Sequence, residues 1–230
     1  MQETKKKREL TPKIKSALSI LSIIRQETDS IGVAISYGKD SLVTLDLCSR
    51  VFKTLYGFYM YRVANLDIVD QWKQCVQSRY EIEIIDYPHF DLSRCYRNCV
   101  LTPHWRNTDD IPNIRFVDVE KKFRNDTGTD WIAYGWRRND SFSRALIMKK
   151  CRGYDENSRR IFPIRSFTRT DVYSYLDSMN ITRPTKLGRE EQGGLDFHKG
   201  AIESLSDNDR KKWMNDFPFS GSVEIDNDSR

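Results

Sequence analysis

The chain has 230 residues, with 38 Lys and Arg against 33 Asp and Glu for a net charge of +5. Hydrophobic residues make up 38% and aromatics 12%, enough to build a core despite a mean hydropathy of −0.67, and this excludes a disordered chain. No apolar run approaches the ~18–20 residues of a membrane span, and the opening M-Q-E-T-K-K-K-R-E-L has no hydrophobic signal core. Five scattered cysteines make no disulfide framework, so the expectation is a soluble protein of a reducing cytoplasm.

From Thr11 to about Gln26, the residues Ile14, Leu18, Leu21 and Ile24 recur with helical spacing, and Thr11-Pro12 suits a cap and first position. Ile31–Ile35 (I-G-V-A-I) reads as a buried parallel strand, and Ser41 to about Lys53 as a helix. Phe58–Val63 reads as a second strand, Ile68–Tyr80 as a helix and Ile82–Ile85 as a third strand. A polar, aromatic loop occupies about Pro88–Pro112. Beyond it, Phe116–Phe123 is helical, Trp131–Tyr134 a strand, Arg138–Lys150 a helix, Ile161–Ile164 a strand and Thr170–Met179 a helix. Strands alternating with helices predict an α/β fold, a parallel sheet covered by helices on both faces. The expected organisation is a helical segment over 1–30, the α/β domain over 31–187 and an acidic segment over 188–230. In such sheets ligands sit where strand meets helix.

Charge is unevenly spread. Ten basic and three acidic residues lie between Tyr134 and Arg169, whereas Glu190–Arg230 holds ten acidic and five basic. A basic middle suits an anionic ligand if a motif accompanies it.

The motif follows the first strand: S-Y-G-K-D-S, Ser36 to Ser41, running directly into a helix. Gly38 allows a tight turn, amides at the helix N-terminus face an anion, Ser36 and Ser41 add hydroxyls and Lys39 a point charge. It is not a Walker A loop, because Gly32 and Gly38 are one residue too far apart and Asp40 follows the lysine. The order strand, S-x-G-K-D-S, helix resembles the pyrophosphate-binding loop of the adenine nucleotide alpha-hydrolase superfamily, a Rossmann-like fold that acts at the α-phosphate of ATP or a related adenylate.

Two further blocks narrow the resemblance. W-I-A-Y-G-W-R-R-N-D-S-F-S-R-A (Trp131–Ala145) places Arg137, Ser141 and Arg144 on one face if helical. I-F-P-I-R-S-F-T-R-T-D-V-Y-S-Y-L (Ile161–Leu176) supplies a strand, loop and amphipathic helix. They resemble the G-x-R-x-x-[DE]-S-x-x-R and P-[IL]-x-x-[WF]-[ST]-x-x-D-V-x-x-Y-[IL] blocks of the 3′-phosphoadenylyl sulfate (PAPS) reductase family. The tail L-S-D-N-D-R-K-K-W-M-N-D-F-P-F is similar to the ending of phage-type and mobile-element members. The resemblance implies that Ser36, Tyr37, Gly38, Lys39, Asp40 and Ser41 cradle phosphates and that Gly135, Arg137, Arg138, Ser141 and Arg144 line the opposite wall. Lys39, Asp40 and Arg137 would carry the chemistry. ATP, PAPS or adenylyl sulfate would be the substrate, with Mg2+ if it is ATP. A second protein partner is a further family expectation.

The chain departs from the family pattern at the carboxy terminus. The E-C-G-[IL]-H segment, whose cysteine attacks sulfur in PAPS, has no counterpart here, since no cysteine follows Cys151 and the one later histidine, His198, lies in L-D-F-H-K-G. Thiol-dependent reduction of PAPS is therefore disfavoured. The paired cysteines that hold an iron–sulfur cluster in adenylyl-sulfate reductases are also missing. His89, Cys95, Cys99 and His104 could supply zinc with two imidazoles and two thiolates, but their spacing matches no standard zinc pattern. Cys48 and Cys75 are expected in the core, and Cys151 borders the basic stretch. Asp67 follows the second strand, where it could face a magnesium-bound polyphosphate, as could Asp70; both also suit a helix's first turn. Trp72, Trp105 and Trp136 could stack an adenine or fill the core. An enzyme acting at the α-phosphate is the first reading and a nucleotide-binding sensor or partner subunit the alternative. A nucleic-acid binder using Lys5–Arg8 and the basic stretch comes third.

Overall fold

The computed structural model describes residues 2–100, 111–182 and 202–218, with side chains from Thr11 onward. Strands β1 (Ser30–Ile35), β2 (Thr54–Tyr61), β3 (Glu83–Pro88), β4 (Ile132–Ala133) and β6 (Arg160–Ile161) run parallel, and β5 (Tyr154–Asp155) pairs antiparallel with β6 at one edge. The helices are α1 (Gln2–Arg25), α2 (Lys39–Ser49), α3 (Asp67–Tyr80), α4 (Asp91–Arg97), α5 (Phe116–Thr127), α6 (Phe142–Lys150), α7 (Arg169–Ser178) and α8 (Asp207–Asp216). This is the expected α/β architecture, a mostly parallel sheet between helices.

The strand order is β3-β2-β1-β4-β6-β5. The chain starts in the middle, moves outward through β2 and β3, then crosses back to place β4 on the other side of β1. The order thus reverses between β1 and β4, and at such a switch point the connections leave toward opposite faces and open a crevice at the strands' carboxyl ends.

The faces of β1 differ in side-chain size. Ile31, Val33 and Ile35 are buried with Leu21 and Ile24 of α1, Leu42 and Leu45 of α2, and Val172 and Leu176 of α7; each such side chain contributes about 1.5–3 kcal/mol. Ala34 faces a second cluster containing Phe58, Phe123, Tyr134 and Phe162. Two buried carboxylates tie the elements together. Asp46 accepts from Tyr175 Oη at 2.6 Å, Arg50 Nε at 2.9 Å and Tyr80 Oη at 3.3 Å, tying α2, α3 and α7. Glu120 takes both Arg160 Nε (2.8 Å) and Nη2 (2.6 Å), plus Tyr134 Oη at 2.5 Å.

Several boundaries differ from those the sequence predicts. The first helix begins at Gln2, with Pro12 inside it; the Lys- and Arg-rich start is a strong helix former, and one proline removes one hydrogen bond. β2 starts at Thr54 and stops at Tyr61, because its ladder with β1 begins at Ser30↔Thr54 and the chain turns at Asn65, whose φ is 56°. β3 runs on to Pro88. The predicted 88–112 loop contains α4. The strand predicted over Ile161–Ile164 ends at Ile161, since Pro163 has no N–H to give the ladder. Cys48 is buried but Cys75 is exposed, lying beside the Val69–Trp72–Val76 stripe that α3 buries. Helix α6 begins at Phe142 instead of Arg138, because the Ser141 hydroxyl caps it by accepting from Arg144 N at 3.2 Å. Among the described residues, no helix is long and apolar enough to cross a membrane.

Candidate functional site

The crevice at the β1/β4 switch point is bounded by the Ser36–Ser41 loop on one side and the turn after β4 on the other. The loop is closed by its own hydroxyls: Ser41 Oγ donates to Gly38 O at 2.9 Å and accepts from Ser36 N at 3.3 Å. Gly38 is the N-cap of α2, and no side chain caps that helix, so its first-turn amides and positive dipole end point out of the loop. The tight turn is made one residue earlier than expected. Gly38 has an ordinary φ of −81°, while Tyr37 is left-handed at 56°.

Across the crevice a ladder of charges alternates in sign. Lys39 Nζ lies 3.0 Å from Asp40 Oδ2, and Arg137 Nε lies 3.0 Å from Asp40 Oδ1. Arg137 Nη2 reaches Asp140 Oδ1 at 2.7 Å, and Arg144 Nη1 reaches Asp140 Oδ2 at 2.9 Å. The Arg144 guanidinium also sits 5.1 Å above the Trp136 ring. Arg137 Nε and Asp40 Oδ1 face each other out of line for a hydrogen bond and are both buried, so each keeps hydrogen-bonding capacity unspent inside the site. Three cations and two carboxylates leave one net positive charge.

Gly135 lets the two walls meet. A β-carbon there would lie 2.8 Å from the carbonyl carbon and oxygen of Asp40 and 3.0 Å from Ser41 N, closer than side-chain carbons approach backbone. Between the walls is a cleft of about 240 Å³ lined by Ala34, Ile35, Ser36, Asp40, Ser41, Phe58, Met60, Phe116, Tyr134, Gly135, Trp136 and Arg144. One end offers hydroxyls, helix amides and cations; the other offers flat aromatic walls, with Trp136 stacked on Phe162 at 5.6 Å. That combination suits a ligand with an anionic end and a planar apolar end. No cysteine is among the lining residues described.

The predicted residues divide accordingly. Ser36, Asp40, Ser41, Gly135 and Arg144 line the cleft, and Lys39 and Arg137 adjoin it through Asp40. Tyr37 points away from it. Arg137, Ser141 and Arg144 do not form one helical face: Arg137 lies in the turn closed by Asp140, whose carboxylate accepts Arg137 N at 2.8 Å, and Ser141 is the cap. Arg138 is exposed, its amide donating to Arg165 O.

Asp67 stands in the first turn of α3, half-exposed, bound by Lys212 Nζ at 2.8 Å and Asn208 Nδ2 at 2.6 Å. These two donors, Lys212 first, hold its carboxyl below the usual range. Asp70 is exposed. Trp136 lines the cleft, whereas Trp72 is buried beside Tyr37. His89 Nδ1 accepts from Asp91 N at 3.1 Å, Cys95 is buried with its thiol pushed up by desolvation, and Cys99 is half-buried. Among the described residues no group of three or more His, Cys, Asp or Glu could hold a metal. His104, Trp105, His198 and the Lys5–Arg8 side chains lie outside the described residues, as do 188–201 and 219–230 of the acidic segment.

Sequence reading missed Asp140 and, apart from Trp136, the aromatic walls. Asp140 occupies the [DE] position of the G-x-R-x-x-[DE]-S-x-x-R block, and its spacing of three from Arg137 and four from Arg144 signals pairing with both. Phe116, Tyr134, Phe58 and Met60 carry no local signal; only the sheet order brings them together.

A family model described as the phosphoadenosine phosphosulfate reductase domain matches residues 30–187. Among solved structures, a phosphoadenylyl-sulfate (PAPS) reductase from Candida auris, in a phosphate complex, is similar with a TM-score of 0.49 at 13% identity, covering 77% of this chain and 90% of that one. No curated protein matches the chain. With more than half its length inside that match, the chain belongs to the PAPS reductase domain family.

Proposed function

We propose that this chain binds an adenine nucleotide, ATP or an adenylyl sulfate such as PAPS, and acts at its α-phosphate by pyrophosphate release or by adenylyl or sulfur transfer. The observation that carries this reading is the meeting of loop and ladder: Arg137 sits 3.0 Å from Asp40 of the phosphate loop, so cations from both walls converge on one anionic end. Lys39, the α2 amides, Arg137 and Arg144 would stabilise charge developing on the phosphate oxygens. Phe116 and Trp136 would face the base. Mg2+ would arrive on the phosphates of ATP, because Asp40, the carboxylate lining the cleft, is already paired with Lys39 and Arg137. The sequence has no cysteine after Cys151, which favours α-phosphate chemistry over reduction by a carboxy-terminal thiolate.

A second reading, a partner subunit that binds nucleotide without turnover, is favoured by one observation. Helix α6, which carries Arg144 into the site, exposes Phe142 (80%), Leu146 and Ile147, apolar side chains on an element of the cleft.

The test is a calorimetric and thermal-shift panel of ATP, AMP, adenylyl sulfate and PAPS, with and without Mg2+, on wild type and Lys39→Ala. One nucleotide should stabilise the wild type by RT ln(1 + [L]/Kd), about 2.7 kcal/mol at 100 Kd. Lys39→Ala should weaken it at least tenfold, about 1.4 kcal/mol. Pyrophosphate release from ATP would identify adenylyl transfer, and binding without product would select the partner-subunit reading. No binding by any of the four overturns the nucleotide assignment.

A further inference from the structure

Tyr37 holds the loop's left-handed position, at a φ of 56°, although Gly38 follows it with an ordinary backbone. A side chain with a β-carbon is disfavoured there by contact with its own backbone. Such a conformation persists when its surroundings over-determine it.

The surroundings are two rings. Tyr37 is 4% exposed, its ring centroid 5.1 Å from that of Tyr59 on β2 and 5.8 Å from that of Trp72 on α3. It is turned into the main core, away from the cleft that Ser36, Asp40 and Ser41 line. Its hydroxyl is buried without a hydrogen-bond partner, and so is Trp72 Nε1. Hydrogen bonding therefore does not hold this side chain in place; the packing of its ring does.

We propose that Tyr37 is a positioning residue, an aromatic wedge that Tyr59 and Trp72 clamp so that the strained turn holds Ser36, Asp40 and Ser41 in anion-binding geometry. The proposal deepens the nucleotide reading and rests on it for the ligand, but the ordering of the loop is a separate physical claim. The wedge's ring acts through the backbone: while it is seated, Ser36 N stays within reach of Ser41 Oγ and the α2 amides stay aimed outward. Without it, the turn relaxes to a commoner conformation and the amides turn away.

The experiment pairs hydrogen exchange across residues 36–42 with nucleotide calorimetry, on wild type, Tyr37→Phe, Tyr37→Leu, Tyr37→Gly, Trp72→Phe and Trp72→Leu. Tyr37→Phe keeps the ring and should leave loop exchange and affinity within twofold of wild type. Tyr37→Leu and Trp72→Leu should speed loop exchange at least tenfold and weaken nucleotide binding by a similar factor, with exchange in α7 unchanged; Trp72→Phe should recover part of the loss. Tyr37→Gly removes the backbone penalty along with the wedge and should exchange as fast as Tyr37→Leu. Where a leucine variant fails to fold, the Trp72→Phe and Tyr37→Gly exchange data decide. Loop exchange equal to wild type in the ring-less variants overturns the proposal. So does a Tyr37→Phe variant that loses binding as fully as Tyr37→Leu, since the phenol would then be contacting ligand. A wild type that binds no nucleotide sinks the functional reading alone, because the exchange data still judge the wedge.

Discussion

At Gly135 the chain leaves β4 against the backbone of the phosphate loop, and the atoms a β-carbon would strike are the Asp40 carbonyl and the Ser41 amide. Backbone cannot swing aside as a side-chain tip can, so Gly135→Ala must push β4's turn and the first turn of α2 apart. Overpacking of this kind costs about 1–3 kcal/mol. The same displacement separates Arg137 from Asp40, so nucleotide affinity should fall more than tenfold, measured by denaturant unfolding and calorimetry on one preparation. Wild-type affinity in a destabilised variant would mean that the loop and ladder bind independently. Lys39, Asp40, Arg137 and Arg144 were legible because their motif spacing is local. The left-handed residue was not, because Gly38 is the residue that chemistry favours there and only the rings of Tyr59 and Trp72, distant in sequence, reverse that preference.

Between elements, the clearest device joins α8 to α3. Asp209, 1% exposed, accepts from Asp67 N at 2.7 Å and Ile68 N at 3.0 Å. A carboxylate from the far end of the chain thus caps the helix that follows β2, whose own N-cap, Leu66, offers no side-chain bond. Lys212 adds a bond to Asn65 O at 2.6 Å and the pair with Asp67. Asp209→Ala leaves two helix amides unmet beneath α8 and should destabilise the fold by about 1–3 kcal/mol; Asp209→Asn, which keeps one acceptor oxygen, should lose less. Denaturant midpoints of both variants check the ranking, and equal losses would mean that packing of α8, not the cap, is the source. Nothing local in Asp209 or Asp67 signals this, because the partners meet only in the folded chain. Element types were legible from apolar periodicity in α2, α3, α5 and α7. Boundaries were lost wherever side chains compete with periodicity, as at the Ser141 cap and at Pro163.

For the whole molecule, the α/β class followed from alternation, but the strand order did not, since β4 and β6 are two residues long each and their places are set by pairing, β4 with β1 and β6 with β4. The stability of that assembly should depend on acid in a definite window. Asp171 accepts from Lys13 Nζ at 2.5 Å, Thr168 N at 2.6 Å and Thr168 Oγ1 at 2.7 Å, joining α1 to the first turn of α7. Burial alone would raise its pKa, but these donors outweigh burial and hold it below the usual carboxylate range. Asp118 is drawn to about 2 by the Arg115 side chain, and Asp67 and Asp126 are lowered by Lys212 and Lys122. A carboxyl with a depressed folded pKa stabilises fully above its unfolded value and loses that contribution as pH falls through the folded one. Stability owed to these groups should therefore be flat from neutrality to about pH 5 and fall steadily toward pH 2. Asp171→Asn should cost about 1 kcal/mol at pH 7, and the gap to wild type should close below pH 4, as wild-type Asp171 takes up its own proton. Urea midpoints of the two proteins across pH 2–7 read this directly. A gap that stays constant down to pH 2 would show that Asp171 acts by shape alone, without its charge.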